Sequence, residues 1–392
     1  MSLVRILIGG FCACAVSLGL GRFAYTPILP LMGIDTESAG WLAASNNLGY
    51  LIGAVWASWA SSENQRHRLL NFGLALVAVS LAAMALTGDQ MIWNLIRLIA
   101  GIGSALVFVL GSALVVPRLA EMGRAKLSGL HFGGVGLGIF ASGSAIAWIG
   151  GRTTDSGAWW AAGIICAVLS ATSYLCLRSL RAPKPADFTP RPPSTAIPFP
   201  LPLLAAAYFC AGFGYIITGT FLVVVVKSTP GLGEWANLSW VLVGVAAIPS
   251  AAAWGWVAEH KGYAPALAAA HILMALGTAL LALFGHPLAV FAAAVLYGGT
   301  FLGIAGMAVA FGRAITPAHP ARTMGVLTVF FSIGQIIGPV VAAKLAESGG
   351  WMPALLVAAA VTIAGAPLLT WGEIKSARSL RHQKAPVRSF PG

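Results

Sequence analysis

The stretch GLGRFAYTP, Gly19 to Pro27, decides how the sequence is read, because it places an arginine inside an apolar run from about Ile6 to Met32. An arginine near the middle of a bilayer-spanning helix costs at least ~2.5 kcal/mol on insertion scales. Such a residue normally faces a protein interior or a watery cavity. Arg22 is therefore the first candidate functional residue. The alternative is a structural arginine that binds helix-end carbonyls.

The composition is that of a membrane protein. The 392 residues are 58% hydrophobic and 9% charged, whereas about a quarter of the residues of a soluble domain are charged. About 20 apolar residues are needed to cross ~30 Å of hydrocarbon as helix. This sequence predicts an all-α membrane protein with twelve transmembrane helices, at about 4–30, 38–60, 69–88, 91–116, 126–149, 157–177, 201–227, 235–258, 264–284, 287–314, 322–345 and 351–372.

The net charge of +12 is explained by membrane orientation rather than by nucleic-acid binding. If the spans alternate, most of the 23 Lys and Arg residues fall on one side, which the positive-inside rule assigns to the cytoplasm. We expect both termini on that side of a bacterial inner membrane. A signal peptide is rejected for the first span, because Arg22 interrupts the apolar run and the run is longer than a signal core.

The opening stretch has a counterpart later in the chain. In GFGYIITGT, at 212–220, the Gly-x-Gly spacing recurs, and Tyr215 stands where Arg22 stands, 193 residues further on. A second repeat, at a spacing of 196, relates the fifth and eleventh spans: Gly129, Gly138, Ser142 and Gly143 correspond to Gly325, Gly334, Gly338 and Pro339. A duplicated six-span unit gives such spacings. We predict two pseudo-symmetric six-helix halves at 1–181 and 201–373, a proline-rich cytoplasmic linker at 182–200 and a basic tail at 374–392.

The fourth span carries a second charge in RLIAGIG, where Arg97 precedes Gly101 and Gly103. Together with the twelve predicted spans and the paired halves, this segment makes the sequence resemble the major facilitator superfamily. The superfamily's fourth-span signature is Arg-x-x-x-Gly-x-Gly. GWVAEHKG, at 255–262, resembles the superfamily's loop between spans eight and nine. The segment at 325–339 resembles its glycine-rich motif, and GLGRFAYTPILP followed by AGWLAASNNLGYLIGA looks most like the YbfB/YjiJ-type transporters.

The resemblance implies roles for several residues. Glu259 would act as a conformational latch near Ser128 and Gly129, at the start of the fifth span. Gly325, Gly334, Gly338 and Pro339 would form a helix-packing motif. The Gly-Pro step that exporters carry in span five lies in span eleven here, so export is only weakly supported.

Arg22 and Arg97 lie at a similar predicted depth, and we expect them to form one electropositive site for a carboxylate. The alternative is that Arg97 only braces the first span through its carbonyls, while Arg22 alone meets the solute. Other polar or aromatic side chains within spans complete the predicted substrate site: Tyr25, Asn46, Tyr215, Thr218, Tyr297 and Gln335.

Proton coupling has one intramembrane candidate, His131, because histidine titrates near neutral pH. The alternative is a hydrogen-bonded packing residue. Every carboxylate maps to a loop or a helix end, so no acid lies inside a span. The other candidate carriers of the proton are Asp35 and the substrate itself. Facilitated diffusion and exchange are the alternatives to proton coupling.

The sequence thus predicts a secondary active transporter that moves a small solute, an organic anion, by alternating access. The alternatives are an exporter of drugs or of neutral or cationic metabolites in exchange for protons, and a non-transporting receptor or scaffold on the same fold. Neither a nucleotide-binding loop nor a metal-ligand motif occurs in the sequence. We expect no enzyme activity, no cofactor and no metal, a monomer, and only substrate, bilayer and coupling protons as partners.

Overall fold

The computed structural model describes residues 2–149, 153–180 and 197–384, which form helices and short connections with no strand. Most of the predicted linker, at 182–196, and the tail beyond 384 lie outside these residues. Twelve long helices are labelled in chain order: α1 Leu3–Leu31, α2 Thr36–Ser58, α3 Glu63–Ala83, α4 Gln90–Glu121, α5 Ser128–Ile149, α6 Asp155–Leu177, α7 Leu201–Ser228, α8 Ala236–Lys261, α9 Tyr263–Leu283, α10 Pro287–Ile315, α11 Pro320–Gly349 and α12 Trp351–Lys384.

Eleven helices within the described ranges are long and apolar enough to cross a membrane. The exception is α2, which is helical where the sequence predicted a span at 38–60. Its 23 residues are enough for a span, but the two strongly polar amides of Asn46 and Asn47 lower its mean hydropathy. Both asparagines are buried in the protein, where they have protein partners instead of lipid.

Local chemistry sets where the helices begin and turn. Asp35, Ser62 and Asp89 accept a hydrogen bond from a backbone N–H of the first turn of α2, α3 and α4, as N-cap residues do. The pKa of Asp35 is lowered because the Ser38 amide N–H donates to its carboxylate at 2.7 Å. This carboxylate therefore stays ionised at neutral pH. At the junction of α8 and α9, Gly262 has a φ of 89°, which only glycine adopts readily.

The packing of α1–α6, here called the first group, recurs in α7–α12, the second group. Helix α1 packs on α5 and α6, as α7 packs on α11 and α12. Helix α2 packs on α4, as α8 packs on α10, and α3 packs on α4 and α6, as α9 packs on α10 and α12. Between the groups, α2 packs on α11, α5 packs on α8, and the Tyr25–Ile28 part of α1 packs on α7.

Glycines let the repeated pairs of helices approach closely. A Cβ at Gly138 of α5 would clash with the Ala15 carbonyl oxygen of α1, and a Cβ at Gly334 of α11 would lie 2.6 Å from the Phe209 carbonyl oxygen of α7. Gly338 also faces α7. By contrast, a Cβ at Gly325 would meet nothing within 4 Å, so the residues of the predicted packing motif lie in different surroundings.

We predict that Gly334→Ala destabilises the protein and that Gly325→Ala, in the same helix, does not. The added methyl group at Gly334 overpacks the contact of α11 with the α7 backbone, which typically costs about 1–3 kcal/mol. At Gly325 the change only improves helix propensity, by up to about 1 kcal/mol. Thermal unfolding in detergent measures both. Equal melting temperatures for the two variants would contradict the packing described here.

Candidate functional site

The helical geometry of α1 is interrupted around Arg22. After the α-helix Leu3–Cys14 the chain is π-helical over Ala15–Leu20, and regular helix resumes only at Tyr25–Ile28. The Thr26 N–H bonds to the Phe23 carbonyl at 3.2 Å, so the Arg22 carbonyl loses the donor that a regular helix would give it. Discontinuous helices and π-helical segments are frequent at functional sites of membrane proteins.

Arg97 of α4 bonds to the carbonyl groups at this interruption. Its Nη1 donates to the Gly21 oxygen and its Nη2 to the Arg22 oxygen, both at 3.2 Å. Asn46 of α2 adds Nδ2 bonds to the Gly21 oxygen at 3.3 Å and to the Arg97 oxygen at 3.0 Å. The Tyr25 ring lies 4.8 Å from the Arg97 guanidinium carbon, and its hydroxyl donates to the Ala39 carbonyl. This is the bracing arrangement considered from the sequence as the alternative to a paired-arginine site.

Arg22 instead reaches across to the second group. Its Nη1 donates to the Tyr215 hydroxyl of α7 at 2.8 Å. Gln335 of α11 donates to the same hydroxyl. The guanidinium carbon lies 4.5 Å from the centre of the Tyr50 ring of α2. Arg22, Tyr50, Tyr215 and Gln335, here called the Arg22 cluster, therefore join four helices of the two groups.

The contact between α1 and α7 repeats the sequence symmetry. Arg22 bonds to Tyr215, and the Thr26 hydroxyl donates to the Gly219 carbonyl at 2.5 Å; both pairs are 193 residues apart. Residues related by a two-fold axis contact each other only near that axis. The Arg22 cluster thus lies where the segments that repeat at a spacing of 193 residues contact each other.

The Arg22 cluster contains a buried positive charge that no carboxylate in the cluster neutralises. Arg22 is 4% exposed, and its Nε and Nη2 have no hydrogen-bond partner. Among the residues whose burial the structure describes, Arg22 and Arg97 are the only buried Lys, Arg, Asp or Glu side chains. One end of the Gln335 amide and the Tyr297 hydroxyl are also buried without partners. A buried, uncompensated charge costs about 3–5 kcal/mol, so this arrangement is suited to a ligand that supplies an anionic group.

A column of aromatic rings lies beside the Arg22 cluster. Five rings stack with interplanar angles of 14° or less, in the order Tyr208, Phe331, Tyr215, Phe301 and Tyr297. This column and the role of Tyr50 were not predicted from the sequence. One signal was available: Tyr208 and Tyr215 are seven residues apart on α7, and Tyr297 and Phe301 are four apart on α10, spacings that place them on one helix face.

The remaining predicted residues lie apart from these contacts. The Thr218 hydroxyl bonds within the second group, to Thr278 of α9 at 2.9 Å. His131 of α5 is buried, with its Nε2 at 3.1 Å from the Ser112 hydroxyl and 3.4 Å from the Cys14 sulfur. Neither residue hydrogen-bonds to Arg22 or Tyr215. Their predicted roles in substrate binding and proton coupling stay predictions.

Glu259 lies near the end of α8 and is exposed. Helix α8 packs on α5 where a Cβ at Gly129 would meet Ala252 at 2.7 Å, and Glu259 lies two turns beyond Ala252. Within the described ranges it forms no hydrogen bond or ion pair with Ser128 or Gly129. The proposed latch is not formed in this structure and stays a prediction.

Comparison with known families agrees with this architecture. The family described as "Uncharacterised MFS-type transporter YbfB" matches residues 14–370. The chain belongs to this family. It is therefore a multi-pass membrane transporter and not an enzyme, and the resemblance to the major facilitator superfamily and its YbfB/YjiJ-like group is confirmed. A comparison with curated protein sequences gives no match.

Two solved structures share the transporter's fold. The crystal structure of a point mutant of the nucleoside transporter NupG has a TM-score of 0.73 and 14% identity, covering 94% of this chain and 99% of that one. A second crystal structure of NupG has a TM-score of 0.67 and 15% identity, covering 94% and 98%. At these identities the likeness concerns the fold alone.

We predict opposite effects on stability for the two buried arginines. Arg97→Met removes two hydrogen bonds from a charged donor, each worth about 1.5–3 kcal/mol, so the melting temperature in detergent falls by several degrees. Arg22→Met removes an uncompensated buried charge, so without ligand the melting temperature stays or rises. If Arg22→Met is as destabilising as Arg97→Met, Arg22 is a structural residue.

Proposed function

We propose that this transporter is a secondary active carrier of a small organic anion and that Arg22 binds the anionic group. One observation carries the proposal: the buried Arg22 guanidinium has two nitrogens without partners and no buried carboxylate in the described ranges to neutralise it. Arginine presents paired donors that match a carboxylate, and such bonds are about twice as strong as neutral ones. The free Nε and Nη2 are adjacent donors of that kind.

Other solute charges fit this site less well. A cation would add a second positive charge next to Arg22 in a region of low dielectric. A neutral solute would leave the guanidinium uncompensated. NupG is a nucleoside transporter. Nucleosides are neutral, so the nucleoside uridine is a useful neutral comparison compound for this chain.

We propose alternating access of two six-helix halves, 1–181 and 201–373, as the transport cycle. The recurring helix pairs and the contacts at a spacing of 193 residues support this division. We further propose twelve spans, a monomer in a bacterial inner membrane and cytoplasmic termini, on the basis of the positive-inside rule. Under this scheme Arg97 and Asn46 hold the interrupted α1, and Arg22 links it to the second half.

The test is uptake into proteoliposomes that contain the full chain, with organic monocarboxylates, uridine and a quaternary ammonium compound as solutes. We expect saturable uptake of a monocarboxylate, and a loss of at least tenfold in Arg22→Gln. Arg118→Gln is the control, because Arg118 pairs with Glu121 at the exposed end of α4. Best uptake of the cation, or full monocarboxylate uptake by Arg22→Gln, would overturn the proposal. A receptor or scaffold would give no saturable flux.

We predict a separate effect for the latch residue. In the proposed cycle, the Glu259 carboxylate caps free N–H groups at the start of α5 when the cytoplasmic side closes, which is worth about 0.3–1 kcal/mol. Glu259→Gln then lowers the turnover rate of uptake severalfold while equilibrium binding stays unchanged. Glu347→Gln, at another exposed acid, is the control. Unchanged turnover in Glu259→Gln would show that Glu259 is a solvated acid only.

Coupling to protons is tested in the same vesicles. We propose His131 as the proton carrier because it is a buried histidine on a helix, α5, that packs against the other group. If it carries the proton, His131→Gln abolishes accumulation driven by an imposed pH gradient but keeps exchange of labelled for unlabelled substrate. Gradient-driven accumulation by His131→Gln would exclude this role.

A further inference from the structure

We propose that Asn47 holds the two groups of helices together at the end of the protein where α2 begins and α11 ends. It does so by donating a hydrogen bond to a carbonyl of α11 that a proline leaves without its helical partner. Under the proposed orientation this end is the outer side of the membrane. This inference rests on the proposed function, because it requires that the two halves alternate, but it is independent of the charge of the solute.

Pro339 removes a backbone donor from the interior of α11. In a regular helix the N–H of residue 339 would donate to the carbonyl of Gln335, four residues earlier. Proline has no N–H, and its ring crowds that same carbonyl. Gln335 is 1% exposed, and inside a bilayer no water satisfies an unpaired backbone group. A donor from another helix is therefore strongly stabilising at the Gln335 carbonyl.

Asn47 supplies such a donor from the first group. Its Nδ2 donates to the Gln335 carbonyl at 3.0 Å and to the Ala43 carbonyl of its own helix at 3.0 Å. Both neighbours are acceptors, so only the NH2 end of the amide can face them. Asn47 is 1% exposed. This contact, here called the Asn47–Gln335 bond, thus joins α2 to α11 through a buried hydrogen bond.

Close packing of α2 on α11 continues from this bond toward the beginning of α2. A Cβ at Gly40 would lie 2.9 Å from the Pro339 carbonyl oxygen and 2.9 Å from the Ala343 Cβ. The two hydrogen bonds between α1 and α7 lie in the later part of α1, toward the same end of the protein. The side-chain hydrogen bonds between the groups therefore lie from the middle of the helices toward one end, which is closed in this structure.

The corresponding interface, between α5 and α8, does not contain the proline. At the repeat spacing of 196 residues, Pro339 corresponds to Gly143, which has an N–H for the Ile139 carbonyl. Close approaches of α5 to α8 run from Gly129 to Gly143. Backbone contact along α5 joins that pair of helices, whereas α2 and α11 are also joined by the Asn47–Gln335 bond. The proline and the asparagine together give one of the two interfaces an added hydrogen bond.

The Asn47–Gln335 bond stabilises the closed arrangement relative to the open one. When α2 and α11 separate at this end, water enters and hydrates the carbonyl, so the asparagine is required only while the contact is closed. This is the differential interaction that biases a conformational equilibrium. The side chain of Gln335 donates to the Tyr215 hydroxyl, which also accepts from Arg22. Opening of the contact therefore displaces a member of the Arg22 cluster.

The test measures how often the contact opens, through the reactivity of a buried position. Ala343 is 1% exposed and packs on α2 at Gly40, so Ala343→Cys reacts with a membrane-impermeant maleimide only while this end is open. Its labelling rate on the full chain in nanodiscs, followed by mass spectrometry, is proportional to the open fraction even when that fraction is small. Native Cys166 of α6 is buried within the first group and reports unfolding in the same samples.

We expect Asn47→Ala to raise the labelling rate of Ala343→Cys about fivefold or more, because the closed state then buries a carbonyl without its donor. The rate at Cys166 should stay unchanged, since the groups separate without unfolding.

A double-mutant cycle with Pro339 identifies the carbonyl that is responsible. Pro339→Ala restores an N–H for the Gln335 carbonyl, so in that background Asn47→Ala should change the labelling rate by less than about twofold. Ser45→Ala is the matched control in α2, because the Ser45 hydroxyl bonds to the Asn94 side chain within the first group. It should leave the labelling rate unchanged.

An unchanged labelling rate in Asn47→Ala overturns the proposal, and so does an equal rise in the Pro339→Ala background. A parallel rise at Cys166 would show that Asn47 only stabilises the fold, which also overturns it. If Pro339→Ala does not fold, Pro339→Gly supplies the same N–H and copies Gly143, its counterpart in α5.

Failure of this inference can be told apart from failure of the proposed function. If Ala343→Cys is not labelled in any variant, the halves do not separate at this end, and the proposed alternation fails together with the role of Asn47. Because the labelling uses no solute, the anion site is tested only by uptake in Arg22→Gln. A labelling rate that follows the double-mutant cycle supports the role of Asn47 whichever solute is carried.

Discussion

The hydrogen bonds from Arg97 and Asn46 to the carbonyls of the interrupted α1 are the interaction on which the site depends. Inside a bilayer no water is present to satisfy a backbone group that a helix leaves unpaired. The π-helical segment Ala15–Leu20 and the irregular turn after it free the carbonyls of Gly21 and Arg22. Because α4 and α2 supply donors to them, α1 can stay irregular at membrane depth and direct Arg22 toward the second group.

Because of these hydrogen bonds, the two arginines have different surroundings and different roles. The charge of Arg97 is offset by carbonyl dipoles and by the Tyr25 ring, so it holds the backbone. The charge of Arg22 meets one hydroxyl and the face of Tyr50, and a cation–π contact is worth about 0.5–2 kcal/mol. That is too little to offset burial of a guanidinium. Functional sites often retain such destabilising features because selection acts on activity as well as on stability.

The candidate site lies where segments that repeat at a spacing of 193 residues meet. Both contacts of α1 with α7 at a spacing of 193 residues, from Arg22 to Tyr215 and from Thr26 to Gly219, fall where equivalent segments cross. The two repeat-related positions differ there, with a cation at Arg22 and a phenol at Tyr215. The aromatic column belongs to the second group alone. The two groups therefore contribute different side chains to this region, a cation from the first and aromatic rings from the second.

The sequence by itself determined the helical membrane architecture and the family, because these depend on hydropathy and on motifs along the chain. It also made Arg22 the main candidate residue, because a buried charge is costly. Only the tertiary structure decided which arginine binds the backbone of α1 and which contacts the second group, because Arg97 and Arg22 look alike until the atoms near them are located. Only the tertiary structure likewise shows the partners of the Thr218 and Tyr25 hydroxyls, which bond to Thr278 and to the Ala39 carbonyl. The column of Tyr208, Phe331, Tyr215, Phe301 and Tyr297 joins α7, α10 and α11, which only folding brings together. The spacing of residues along one helix indicates that they share a helix face, but it does not indicate which faces of different helices pack together.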